Sequence, residues 1–199
     1  MIITVASFKG GVGKSTTAVH LAAYMQRLAP TLLIDGDPIR TCVKWNARGG
    51  FPFTVIPIEQ TARHVQGGKF PHIVIDTEKR PEADELREMV EGCDLLVIPA
   101  VPNSLDTDGL LDTLAALAKL GSTKHRVLLT RVPPKPATDA DQLRAQLDAY
   151  GFPVFKAEIP LLKAFDRAAA TGVLVNEVAG DPRAKRAWEA YEAAGKEIA

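Results

Sequence analysis

Near its start the chain reads FKGGVGKSTT, and what surrounds that stretch leaves few folds open. A β-branched run, IITVAS (residues 2–7), precedes it. A helical pattern, KSTTAVHLAAYMQRLA (14–29), follows without a break, with Val19, Ala22, Ala23 and Gln26 at 3–4 spacing and Pro30 just past its end. Strand, glycine-rich turn and helix in this order let main-chain amides face a phosphate. Gly10, Gly11 and Gly13 admit backbone conformations closed to other residues, and the helix N-terminus adds a favourable dipole. Gly13, Lys14 and Ser15 complete the pattern G-x-x-x-x-G-K-[ST]. Its first glycine falls where the chain has Phe8, and Lys9 adds a second cation five residues before Lys14. The motif predicts an ATP cradle of Gly10, Gly11, Val12, Gly13, Lys14, Ser15 and Thr16. In it Lys14 lies against the β- and γ-phosphates and the Ser15 hydroxyl ligates Mg²⁺.

The rest of the chain repeats the alternation. Strands are expected at TLLID (31–35), FTVIPI (53–58), HIVID (72–76), DLLVIPA (94–100), RVLLTRV (126–132) and PVFKAEI (153–159). FTVIPI is the weakest, because Pro57 disfavours a central position. Helices are expected at 105–120, 139–151 and 183–199, with Gly121 and Gly151 as stops. The pattern predicts one α/β domain over 1–199: a doubly wound, mostly parallel sheet flanked by helices, of the phosphate-loop NTPase type. A length of 199 residues suits one well-buried domain.

Two strands deliver aspartates to the end where ligands sit in such sheets: LLIDGDP with Asp35 and Asp37, and HIVIDT with Asp76. A rigid strand carrying a carboxylate is what Mg²⁺ ligation through a water needs, which suits Asp76. Asp35 is expected to support the site by binding Lys14 or a metal-bound water. Without the upstream loop, Asp-Gly-Asp-Pro reads as ordinary turn chemistry; the alternative for Asp76 is a helix N-cap or a turn residue.

KGGVGKS and LLIDGDP together resemble the signature-lysine nucleotidases, the deviant Walker A group that holds the ParA partition ATPases, MinD, the nitrogenase iron protein and the arsenite-pump ATPase. CDLLVIPAVPNSLDTDGL, RVLLTRVPPK and FKAEIPLLKAFDRAAATG carry the resemblance along nearly the whole chain. The resemblance implies that Lys9 reaches across a nucleotide-sandwich homodimer to the partner's phosphates, and that Asp37 orients the attacking water. It makes Lys9, Lys14 and Asp37 the catalytic set for slow ATP hydrolysis. It implies that the segments after residues 126 and 155 border the adenine pocket, with Arg131 at the nucleotide, and lead to the DNA-facing helices. Two stretches depart from the family: DPIRT stands for its usual DPQ, and DTEKRP for D-x-P-P, so the coupling role of residues 77–81 is left open.

With the loop starting at residue 9, the small stand-alone ParA type is expected. ATP·Mg²⁺ closes the homodimer, the dimer binds non-specific DNA, and a ParB-like or other adaptor stimulates hydrolysis and release. The cargo is a plasmid, a chromosome origin or a protein assembly. The alternatives are a ParA/MinD-like positioning ATPase for a protein assembly or membrane site, and a metabolic phosphate-loop enzyme on the same scaffold.

Arg131, Lys135, Lys163 and Arg167 are the candidate DNA contacts, with Arg183, Lys185 and Arg186 as a second cluster. Formal net charge is zero, but residues 77–118 carry 3 basic against 10 acidic side chains, so a DNA surface is expected elsewhere. Membrane attachment is not expected. The final helix has Ala184, Ala187, Trp188, Tyr191 and Ile198 on one stripe, suited to the domain's own core, and Glu189, Glu192 and Glu197 oppose anionic lipid. Cys42 and Cys93 stand far apart, and Cys93 reads as a small buried residue rather than a cluster ligand. No secretion signal or apolar span is evident, so a cytoplasmic, nucleoid-associated protein is expected.

Overall fold

The computed structural model describes residues 1–7, 9–79 and 83–199, the side chains of residues 79, 83, 84 and 104–108 excepted. Among the described residues the β-branched runs form seven strands: β1 (Ile2–Ser7), β2 (Thr31–Asp35), β3 (Thr54–Pro57), β4 (His72–Lys79), β5 (Leu95–Ala100), β6 (His125–Val132) and β7 (Val154–Pro160). They make one sheet in the order β3-β2-β4-β1-β5-β6-β7, with every pairing parallel. β1 is therefore central, and the glycine-rich loop leaves its carboxyl end in the crevice where such sheets hold ligands. β3 is an outer strand, the place a proline-bearing strand tolerates.

The helices are α1 (Lys14–Gln26), α2 (Thr41–Gly49), α3 (Thr61–Val65), α4 (Ala83–Glu91), α5 (Ser104–Lys119), α6 (Asp139–Ala149), α7 (Lys163–Thr171) and α8 (Ala184–Lys196). Alternation along the strands separates two cores. Val97 faces a cluster with α1, α2, α7 and α8, while its neighbours Leu96 and Ile98 face one with α4, α5 and α6. Strands buried on both faces explain the continuous apolar runs in the sequence.

Several boundaries differ from the sequence reading. α1 ends at Gln26 rather than 29, because the backbone tightens there: the Arg27 amide bonds the Tyr24 carbonyl and the Leu28 amide that of Met25. Every α1 residue from 17 to 25 is buried, so the expected stripe is a helix covered all round. α8 supplies the second cover. Ala184, Ala187, Tyr191 and Ala194 are in the core, with Trp188 and Ile198 packed against it. Cys93 is buried. β4 runs past Asp76 to Lys79, pairing with Ser7 beyond a register shift. α2, α3 and α4 were not expected from the pattern.

Candidate functional site

Gly11 and Gly13 take φ of +81° and +87°, where a side chain would be strained, and Gly13 caps α1. The loop thus turns directly into the helix, and Lys14 enters a site built by strand register. β4 lies between β1 and β2, and Asp35 pairs with Asp76. Lys14 is 7% exposed, and its Nζ donates to Asp76 Oδ1 at 2.6 Å and stands 4.0 Å from Asp37 Oδ2. Of the partners considered for Asp35, Lys14 is thus taken by Asp76 instead.

Asp35 is anchored by backbone. Its Oδ1 accepts the Asp37 amide at 3.1 Å and its Oδ2 the Val43 amide at 2.9 Å. Burial raises its pKa, the Val43 and Asp37 amides pull it back, and the Asp76 carboxylate raises it further. Asp37 Oδ1 accepts the Ile39 amide at 2.9 Å, which fixes the carboxylate and leaves Oδ2 on the Lys14 side. The sequence reading passed over Cys42. Its Sγ lies 3.2 Å from Asp76 Oδ2, and burial pushes the thiol well above its usual pKa, so it is a donor there. The only available signal was its place five residues after Asp37.

Asp35, Asp37 and Asp76 are all buried, with the Lys14 ammonium among them. Three carboxylates and one cation leave an excess of hard oxygen donors and negative charge, which fits a divalent cation such as Mg²⁺. Asp76 and the Ser15 hydroxyl are the groups that would hold it, with Asp35 behind them.

The far side of the loop is tied to β6. Thr130 Oγ1 donates to the Val12 carbonyl at 2.7 Å, and Arg131, at φ +52°, donates from Nη1 to the Gly11 carbonyl at 2.8 Å. Gly13, Thr16, Arg131, Pro160 and Phe165 are among the residues lining a cavity of about 90 Å³. A wider one of about 630 Å³ shares Pro160, Leu161 and Leu162 with it and reaches Val132, Arg183 and Arg186. Lys9 is exposed, its carbonyl accepting the Ser7 hydroxyl at 3.1 Å. Phe8, Arg80 and Pro81 lie outside the described residues, so the substituted loop position and the end of the stretch after Asp76 do too.

A family model described as the CobQ/CobB/MinD/ParA nucleotide binding domain matches residues 3–191. The chain belongs to that family. It is 34% identical to the maintenance of carboxysome distribution protein A of Gloeobacter kilaueensis, over 99% of this chain and 93% of that protein. Among solved structures it resembles the ATP complex of a Cyanothece McdA variant (TM-score 0.71, 20% identity, 98% of this chain and 96% of that one). It also resembles MinD in the Aquifex aeolicus MinC:MinD complex (TM-score 0.74, 15% identity, 99% and 95%). These two likenesses concern the fold.

Within this MinD/ParA-family fold the candidate DNA contacts differ in their partners, and Lys135, Arg183 and Arg186 line the wider cavity together. Arg131 turns to the phosphate loop. Lys135 pairs with Asp141, and Arg167 with buried Asp181, which also holds Arg183. Lys163 is exposed on the first turn of α7. No helix among the described residues is long and apolar enough to cross a membrane.

Proposed function

We propose that the whole chain, 1–199, works as one ATPase domain of the ParA/MinD positioning kind. The observation that carries this reading is the convergence of Lys14, Asp37 and Asp76 at the mouth of the glycine-rich loop. The loop amides bind the ATP phosphates, and Lys14 turns from Asp76 toward them. Asp37, fixed through Oδ1, presents Oδ2 to orient the attacking water. Lys9, exposed at the loop's outer rim, serves a second copy's phosphates across the homodimer. When bound, Mg²⁺ neutralises charge on the phosphate oxygens. Phosphoryl transfer asks little covalent chemistry of a protein, so these groups suffice.

ATP then closes the dimer, which binds non-specific DNA on the nucleoid in the cytoplasm, and an adaptor protein stimulates hydrolysis to ADP and phosphate. The carboxysome-distribution protein with which the chain shares a third of its residues favours a protein assembly as cargo over a plasmid or chromosome. The test is duplex-DNA binding by Asp37→Ala with ATP·Mg²⁺ and with ADP, at two salt concentrations. Binding with ATP only, weakening steeply with salt, is the expected outcome. Equal binding with ADP would remove the nucleotide switch, and no binding in either state would remove DNA as the track.

A further inference from the structure

Cys42 has no part in the reaction just described, yet its sulfur sits at the centre of the site. It is fully buried in the first turn of α2, 3.2 Å from Asp76 Oδ2 and 3.9 Å from the Ser15 carbonyl oxygen. The sulfur thus lies between the carriers of both groups suited to Mg²⁺. Asp76 is fully buried too, and a carboxylate out of reach of water needs donors at both oxygens. Lys14 serves Oδ1 and the thiol serves Oδ2.

The two donors are fixed differently. Lys14 opens α1 where the glycine-rich loop ends, and its ammonium must turn to phosphate when a nucleotide arrives. Cys42 is held from elsewhere. The Val43 amide is bonded to Asp35, Trp45 Nε1 donates to the Val173 carbonyl at 3.0 Å, and Arg48 donates to that of Ala169 at 2.9 Å. The thiol therefore stays when the ammonium leaves.

We propose that Cys42 is a positioning residue for Mg²⁺: its thiol holds Asp76 through Oδ2, so that Oδ1 faces the nucleotide once Lys14 has moved to phosphate. A thiol is a weak, uncharged donor, so it orients the carboxylate without cancelling its charge. The inference rests on the Mg·ATP reading above.

The experiment measures binding of a fluorescent non-hydrolysable ATP analogue, first in EDTA and then as Mg²⁺ is added, for the wild type, Cys42→Ala, Cys42→Val and Cys42→Ser. Groups that orient a metal's ligands are worth 10–100-fold in metal affinity. Cys42→Ala should therefore raise the Mg²⁺ midpoint about ten-fold while leaving affinity in EDTA unchanged, and Cys42→Ser, which keeps a donor, should stay within about three-fold of wild type. Should the alanine variant not fold, valine against serine makes the same comparison. An unchanged midpoint in the donor-less variants, or equal losses with and without Mg²⁺, would overturn the proposal. A wild type whose analogue binding ignores Mg²⁺ would instead overturn the Mg·ATP reading, and this inference with it.

Discussion

His20 stands one helical turn beyond Thr16 with both ring nitrogens engaged. Nδ1 is 2.7 Å from the Thr16 carbonyl, which can only accept, so Nε2 must accept the Val175 amide at 3.1 Å. The ring, stacked on Tyr191, is therefore neutral. Burial lowers its pKa to about 4, against a smaller upward pull from the Thr16 carbonyl. A pKa below the unfolded value means that the unfolded chain binds the proton more readily. The stabilisation is thus present above pH 6.5 and is lost as the pH falls toward 4, by on the order of 3 kcal/mol. Urea unfolding across that window should show a shallower fall for His20→Gln than for the wild type. At Lys14 the expected sign is also clear. Lys14→Ala leaves buried Asp76 without its ammonium, and the nucleotide-free chain should lose about 3–5 kcal/mol in the same measurement. Nothing in the sequence marked His20 as different from any other helical histidine, because its partners lie 155 residues away at Val175 and across the core at Tyr191.

α2 carries Cys42 and the Val43 amide, and its far end is set by α7. The backbones meet so closely that a Cβ on Gly172 would lie 2.4 Å from the Gly49 nitrogen, at a φ of +83° that only glycine adopts freely. Gly172→Ala should therefore cost on the order of 3 kcal/mol, read as a lower urea midpoint. The strands were legible in the sequence because both faces of a parallel sheet are covered and the apolar runs are unbroken. The glycine-rich turn between β1 and α1 was legible because its signal is local. α2 was not. Its buried residues are only Cys42 and Trp45 of nine, and its N-cap is Arg40 at φ +58° with no side-chain cap bond. The Asp35–Asp76 pairing was half legible: both carboxylates ended apolar runs, but that β4 lies between β1 and β2 is a property of the sheet.

At the scale of the whole molecule, acidic charge concentrates in residues 77–118, which include α4 and β5, while the exposed cations Lys163 and Arg186 lie on α7 and α8 against the opposite core. Lys163→Ala should lower DNA affinity of the ATP-bound form alike for every sequence and reduce the salt slope by about 1, as loss of one phosphate contact does. Glu88→Gln, on α4, should leave both unchanged. Titrations of labelled duplex at several salt concentrations read both effects. The two outermost strands share one trait. β3 ends in Pro57 and β7 in Pro160, so each rim of the sheet lacks an amide donor at the nucleotide end. A row of free amides is what an extended peptide needs to add itself as a further strand. A missing donor on each rim disfavours such pairing at that end of the sheet, by a second copy or by another protein's tail, and favours contact through helices and loops.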